Sequence, residues 1–325
     1  MFENKNILVI GGTGTIGQAL VKKLISYNPK VIRILSRDEF KQYQMQQRLG
    51  DCKNIRFLLG DIREKDRVYK AMHNIDIVFD MAALKHVPAC EYNPFEAVKT
   101  NVLGTQNVIE CAIENKVKKV IYASSDKAVS PTNTMGATKL LAERLIVSAD
   151  YWKGGNTPVF AAVRFGNVIG SRGSVVPLWE EQIVSKKEIT VTDPNMTRFM
   201  ISIDAAVELT LRACDIAKGG EIFVLKMPVI RLGDLAEVVI NKVCRKIGLP
   251  AEQVRIRTIG MRPGEKMYEE LMTADEAQCA VEYEDMHAIQ PLAISNNLIN
   301  NWAVGYRSSM DHNISKDEIC KLLNY

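Results

Sequence analysis

The chain has 325 residues, 47% of them hydrophobic and 25% charged, and a formal net charge of +4. At roughly 150 residues per domain this length makes two domains, or one large unit with a cap, and the apolar content excludes a disordered chain. No apolar run reaches the roughly 18 residues of a membrane-spanning helix, and the balanced charge gives no support to a nucleic-acid partner.

The start, Met1 to Asn6, lacks the apolar segment of a signal peptide. Seven cysteines are scattered from Cys52 to Cys320 with no C-x-x-C pair. Reduced thiols and a cytoplasmic setting are expected. His73, His86, His287 and His312 are far apart and fit no zinc spacing, so no structural metal is expected.

In chain order, short apolar runs predict strands at 6–10, 31–35, 55–59, 75–79, 120–123 and 159–164. Most are continuous rather than alternating, as in strands buried on both faces. Between the first two lies an amphipathic helix pattern, with Ile16, Leu20 and Leu24 on one side and Lys22 and Lys23 on the other. The basic run 116–119 reads as a solvated turn before the fifth strand. Strand and helix in alternation predict an α/β fold with a doubly wound parallel sheet, whose ligands bind along the carboxyl edge of the strands.

After residue 165, Gly166, Gly170, Gly173, Pro177 and Pro194 punctuate shorter pieces. Helices are expected at 203–213 and 232–247, and strands at 221–225 and 255–259. This divides the chain into a sheet domain, 1–165 plus about 200–225, and a smaller C-terminal substrate-binding lobe, 166–199 plus 226–292. The tail, 293–325, ends in a short helical pattern.

Gly11-Gly12-Thr13-Gly14-Thr15-Ile16-Gly17 follows the first strand and opens the first helix. Gly12, Gly14 and Gly17 fit G-x-G-x-x-G; Gly11, Gly14 and Gly17 fit G-x-x-G-x-x-G. Either spacing suits a dinucleotide pyrophosphate, because glycine permits close approach and the helix start offers free N–H groups. Gly11, Thr13, Gly14, Thr15, Ile16 and Gly17 are the candidate contacts in this Rossmann turn. The second strand ends Ser36-Arg37-Asp38, with Lys41 beyond. Arg37 and Lys41 suit a 2′-phosphate and favour NADP; Asp38 leaves NAD open. Asp61 and Ile62, after the third strand, face the adenine edge in this reading.

Ser124-Ser125-Asp126-Lys127 ends the fifth strand, on the ligand edge. An acid beside a lysine in a half-dry cleft is a candidate acid–base pair. Met135 and Lys139 lie four apart on the next helix, on one face.

These motifs resemble an extended short-chain dehydrogenase/reductase, and more narrowly the UDP-N-acetylglucosamine 4,6-dehydratases. The matching stretches begin at Ala82-Ala83-Leu84-Lys85-His86, Asn101-Val102-Leu103-Gly104, Ser125-Asp126-Lys127 and Pro131-Thr132-Asn133-Thr134-Met135-Gly136. They continue through Arg164-Phe165-Gly166-Asn167-Val168, Ser171-Arg172-Gly173-Ser174-Val175, Asp193-Pro194-Asn195 and Met261-Arg262-Pro263-Gly264-Glu265-Lys266. The resemblance implies oxidation at C4, loss of water across C5–C6 and hydride return to C6, for surface-glycan synthesis. It gives Lys127 the C5 proton, Asp126 the 6-hydroxyl, Lys139 the nicotinamide ribose, and Ser124 or Ser125 the O4 atom.

The resemblance also implies cofactor contacts from Ala82, Ala83, Lys85, Asn101, Lys139 and Val168, with Lys85 open to cofactor or substrate. Asn167, Ser174, Val175, Arg198, Arg262 and Glu265 would line the UDP-sugar. A homo-oligomer, dimer or hexamer, is implied, and inversion at C5 is favoured. Met135 stands where the superfamily has its tyrosine, so the O4 base is unassigned, with Asp126 the candidate. The alternatives are a UDP-sugar 4-epimerase or keto-sugar reductase on the same fold, and a non-enzymatic NADP-sensing protein.

Overall fold

The structure, a computed structural model, describes residues 1–155, 157–291, 306–308 and 312–323. The six apolar runs of the first half are strands β1 (Asn6–Ile10), β2 (Val31–Ser36), β3 (Ile55–Leu59), β4 (Ile77–Asp80), β5 (Lys119–Ser125) and β6 (Val159–Phe165). The chain continues through β7 (Asn167–Val168), β8 (Glu188–Val191), β9 (Thr197–Ile201) and β10 (Ile222–Leu225). Last come β11 (Val229–Arg231), β12 (Arg255–Thr258), β13 (Ala280–Glu282) and β14 (Met286–Ile289). One nine-stranded sheet runs β13-β14-β10-β6-β5-β4-β1-β2-β3. It is parallel from β3 to β10, and the β13–β14 hairpin adds two antiparallel edge strands.

Helices α1 (Thr15–Ile25), α2 (Glu39–Leu49), α3 (Lys65–Ala71), α4 (Val87–Tyr92), α5 (Pro94–Ala97), α6 (Gly104–Glu114) and α7 (Thr134–Trp152) belong to the first half. A π-helical turn, Val98–Leu103, joins α5 to α6. Then follow α8 (Val175–Lys186), α9 (Ile203–Ile216), α10 (Leu232–Ile247), α11 (Ala274–Gln278) and α12 (Lys316–Leu322). The main core lies between the sheet and its helices. There α1 buries Leu20, Val21 and Leu24 against Ile7, Val9 and Ile34. A second core gathers Trp179, Ile183, Val191, Leu235, Val239 and Ile319 from α8, β8, α10 and α12. The small β11–β9–β7 sheet lies between these cores, with Phe199 and Ile201 in the first and Met200 and Ile230 in the second.

Several boundaries differ from the sequence reading, most by a residue or two. Strand β4 starts at Ile77 because Asp76 leads into it, its N–H on Asn6 O at 2.8 Å. Strand β5 runs on through Ser124 and Ser125, which pair with Arg164 and Phe165 of β6. The hairpin 280–289, assigned from sequence to the smaller lobe, extends the large sheet through β10, where its buried Met286, Ala288 and Ile289 join the main core. The expected tail helix is α12, docked on the second core through Ile319; residues 292–305, 309–311 and 324–325 of the C-terminal region lie outside the described residues. Among the described residues no helix is long and apolar enough to cross a membrane.

Candidate active site

The carboxyl edge of the sheet gathers the expected residues. At β1 the chain turns through Gly11 to Gly17. A Cβ on Gly17 would stand 2.5 Å from Gly11 O and 2.6 Å from Gly12 Cα, so only glycine lets α1 start this close to the strand end. Gly14 caps α1 without a side-chain hydrogen bond, and no acid sits in the first turn. The free N–H groups and positive dipole end therefore face outward, as a pyrophosphate requires. Thr13 Oγ1 and Ser36 Oγ lie 2.7 Å apart, tying the turn to the end of β2. Ala82 N is 2.8 Å from where a Gly11 Cβ would lie, which brings the Ala82–Ala83 segment against the same turn. The cradle fits a dinucleotide.

The cations at β2 are not free. Arg37 lies 3.7 Å from Asp61, and Lys41 pairs with Asp38 at 2.5 Å. Asp38 also caps α2, accepting from Lys41 N at 3.0 Å. Ile62 is buried in the main core.

The candidate acid–base pair, Asp126 and Lys127, sits on a single 3₁₀ turn, 126–128, at the end of β5. Asp126 Oδ1 accepts from Ser125 Oγ at 2.7 Å, Lys127 N at 2.9 Å and Lys127 Nζ at 3.0 Å. Its Oδ2 is buried without a partner, and so is Ser124 Oγ. Two orphaned oxygens at the end of one strand are an unfinished hydrogen-bond set that a ligand can complete. Lys127 Nζ also faces Glu269 Oε1 at 3.6 Å. Burial works against the Lys127 ammonium, but the Asp126 and Glu269 carboxylates outweigh it and hold Lys127 above the usual lysine range. Burial raises Glu269 in turn, opposed by Lys127.

Helix α7 is capped by Asn133, whose Oδ1 accepts from Gly136 N at 2.8 Å. Lys139, one turn on, donates to Ala123 O at 2.5 Å and stands 4.2 Å over the Tyr122 ring. Burial lowers it to about 8, against the pull of Asp80 and Glu143. Met135 lies in an apolar pocket with Cys90, Ala97, Leu84 and Val87. Its thioether has no proton to exchange.

A cavity of about 230 Å³ opens on Lys127, with Lys85, Asn167, Arg198, Arg262 and Glu265 in its wall. A second, of about 220 Å³, shares Asn167, Arg198, Arg262 and Glu265 and adds Val168, Ser174, Val175 and Thr190. Ser174 caps α8, and its buried Oγ has no partner. Lys85 Nζ reaches Ser171 Oγ at 3.3 Å; burial, then Arg172 and Lys127, depress it.

Other expected ligands have their donors engaged within the chain. Arg198 donates to Thr197 O at 2.8 Å and Lys266 O at 2.9 Å, and its Nε faces Glu269 at 3.6 Å. Asn101, in the π-helical turn, spends its amide on Leu84 N and O and on Thr138 Oγ1. Glu265 accepts Arg262 N at 3.0 Å and closes its own turn. These three shape the site by holding its loops.

The sequence reading missed Glu269, three residues past the last quoted motif. It also missed the partners of Arg164, a residue it quoted only as part of a motif. Arg164, fully buried, holds Glu143 at 2.5 Å and Glu276 at 2.9 Å, and so ties α7 to α11 beneath the site. Nothing in the local pattern marks either pairing, which spans 21 and 112 residues.

Residues 7–291 match the family described as polysaccharide biosynthesis protein. The UDP-N-acetylglucosamine 4,6-dehydratase (inverting) of Campylobacter jejuni serotype O:2 is 39% identical over 342 aligned positions, 100% of this chain and 99% of its own. An uncharacterized membrane protein of Methanocaldococcus jannaschii is 51% identical over 322 residues, 99% of this chain and 96% of its own. The UDP-glucose 4-epimerase of Rickettsia canadensis is 42% identical over 293 residues, 89% of this chain and 84% of its own. The X-ray structure of Pen from Bacillus thuringiensis superposes with a TM-score of 0.94 at 53% identity, over 100% of this chain and 98% of that one. The chain thus belongs to the polysaccharide biosynthesis protein family of extended short-chain dehydrogenase/reductase enzymes, alongside the UDP-N-acetylglucosamine 4,6-dehydratases.

Proposed function

We propose that the protein is an NADP-dependent UDP-N-acetylglucosamine 4,6-dehydratase that inverts C5 and makes a UDP-4-keto-6-deoxy-hexosamine. The observation that carries this is the Asp126–Lys127 pair, with Nζ 3.0 Å from Oδ1 at the wall of the cavity. Elimination of water needs one group to take the C5 proton and another to give a proton to the departing 6-hydroxyl. The relatives named inverting support the stereochemistry.

The glycine cradle from Gly11 to Gly17 would hold NADP+, which would supply the redox chemistry, hydride exchange with C4 and then C6 of the sugar. The chain moves the protons. Asp126 Oδ2, buried and unpartnered, takes the O4 proton in place of the missing tyrosine. Lys139 supports that step with its positive charge and binds the nicotinamide ribose. Protonation of Asp126 removes the carboxylate that raises Lys127 most. Burial then favours neutral Lys127, whose proton leaves through the cavity, and Lys127 takes the C5 proton. Asp126 passes its proton to O6, and water departs. Inversion requires a proton from solvent to reach C5 on the face opposite Lys127, which keeps the proton it took and so returns to its charged form.

Ser174 at the start of α8 and the exposed Arg262 are the ligands we assign to the diphosphate. The second cavity takes the uridine. Exposed Tyr92, at 88%, and Phe95, at 79%, support association with a second copy of the chain, which light scattering would detect. Seven free thiols support a cytoplasmic setting.

Proton NMR of the purified protein with UDP-N-acetylglucosamine and NADP+ in D2O tests the reading. A new C6 methyl signal with deuterium at C5 is expected. An axial–equatorial change at C4 alone, with C5 still protonated, would make it an epimerase. That second reading rests on the Rickettsia relatives.

A further inference from the structure

Between β7 and α8 the chain runs Gly170-Ser171-Arg172-Gly173, and both glycines have positive φ, +70° and +72°. The bend they allow brings Arg172 from the substrate side back to the glycine turn. There Arg172 N donates to Thr15 Oγ1 at 3.2 Å, and Arg172 Nη2 donates to Thr13 O at 2.8 Å. These contacts span 157 and 159 residues and are the reach of one loop onto the cofactor cradle. Thr13 is itself bound to Ser36 at the end of β2. The guanidinium thus stands at the corner formed by the glycine turn, Ser36 and the cap of α2.

Charge accounting at this corner singles Arg172 out. Arg37 is turned toward Asp61 and Lys41 is paired with Asp38. Both cations supplied by the β2 end are committed to carboxylates. Among the described residues Arg172 has no carboxylate within ion-pair distance, although its charge, after that of Lys41, helps hold the Asp38 carboxyl low. Lys85, itself depressed by burial and then by Arg172, joins the same loop through Ser171. A phosphate dianion entering here needs a cation whose charge is not already spent, and a guanidinium offers a fork that fits it.

We propose that Arg172 is a cofactor-specificity residue that binds the 2′-phosphate of NADP from the substrate side of the cleft. The inference rests on the NADP reading above. The same loop leads directly into Ser174 and Val175, in the wall of the second cavity. Binding of the 2′-phosphate therefore fixes the loop that the nucleotide sugar meets.

Equilibrium binding of NADP+, NAD+ and adenosine 2′,5′-bisphosphate to the full chain and to Arg172→Gln tests it. The unaltered chain should prefer NADP+ to NAD+. In Arg172→Gln, NADP+ and the bisphosphate should weaken roughly tenfold or more, the scale of a lost charge-assisted hydrogen bond, and NAD+ should be unaffected. Arg172→Lys should keep part of the preference. An equal loss for NAD+ and NADP+ would put Arg172 on the pyrophosphate and overturn the proposal, as would no loss for either. If the unaltered chain binds NAD+ as tightly as NADP+, the NADP reading itself fails, and that result is read without the variant.

Discussion

The carbonyl oxygen of Lys127 occupies the space that a side chain at position 136 would need, so a Cβ built on Gly136 collides with it. The first turn of α7 therefore rests on the turn that carries Asp126 and Lys127. One helix sets the height of Lys127 and of Lys139 together. Gly136→Ala must push these elements apart, at a cost of about 1–3 kcal/mol. We expect a folded protein that melts several degrees lower and turns over at least tenfold more slowly. Unchanged melting and turnover would mean that the contact does not set the site.

Lys127→Ala removes the group assigned to the C5 proton and leaves Lys139 and the glycine cradle in place. Reduced-nicotinamide absorbance should still appear on mixing with UDP-N-acetylglucosamine and NADP+. Deuterium should not enter C5 and no methyl product should form. Normal product would remove Lys127 from the mechanism.

Glu269 and Asp126 both hold Lys127 in its charged form, while the base in the reaction must be neutral. Glu269→Gln removes one of those charges. Lys127 should then lose its proton at lower pH, and the acid-side limb of the kcat profile should move down, by about one pH unit. A purely structural role for Glu269 would lower kcat at every pH and leave the limb where it is.

The glycine turn, the strand alternation and the 124–127 segment were legible because each is local: a period, a spacing or adjacent residues. The two outer strands β13 and β14 were not. Ala280–Glu282 and Met286–Ile289 are short, and only pairing with β10 makes them part of the sheet. The site divides the same way. Ser125, Asp126 and Lys127 are neighbours in sequence and in space, whereas Glu269 meets Lys127 across 142 positions of chain, the difference of their numbers. The family resemblance, not its residue type, puts Arg198 at the UDP-sugar. Arg198 lines both cavities, and its guanidinium also donates to Thr197 O and Lys266 O, contacts that the sequence does not mark.

Arg164, Glu143 and Glu276 form a buried charge cluster whose parts depend on one another. Arg164 and Glu143 have no exposed side-chain surface. Arg164→Met leaves Glu143 without its ion-pair partner and Glu276, among the described residues, with only Arg144, at 3.7 Å. Loss of one partner from such a pair costs about 3–5 kcal/mol. The urea midpoint of Arg164→Met should fall accordingly, and adding Glu143→Gln in the same chain should recover part of the loss. If Arg164→Met unfolds at the same urea concentration as the unaltered protein, the cluster carries no net stability.

Asp80, at the end of β4, is the other buried acid behind Lys139. Burial lifts its carboxyl to about 6, against the N–H of Ala82 and the Lys139 ammonium. An ordinary aspartate titrates near 3.8. Between about pH 4 and 6 the folded chain therefore holds a proton that the unfolded chain has released. The contribution of Asp80 to stability is fully present below about pH 4 and declines as pH rises through 6. Asp80→Asn should remove that decline, so urea unfolding free energies of variant and parent should diverge, in favour of the variant, from about pH 4 to 6. The same change removes the carboxylate that supports the charge on Lys139, which then falls below about 8. Turnover near neutral pH should drop even as the protein becomes more stable. Equal pH slopes for the two proteins would show that Asp80 is ionised normally in the folded chain.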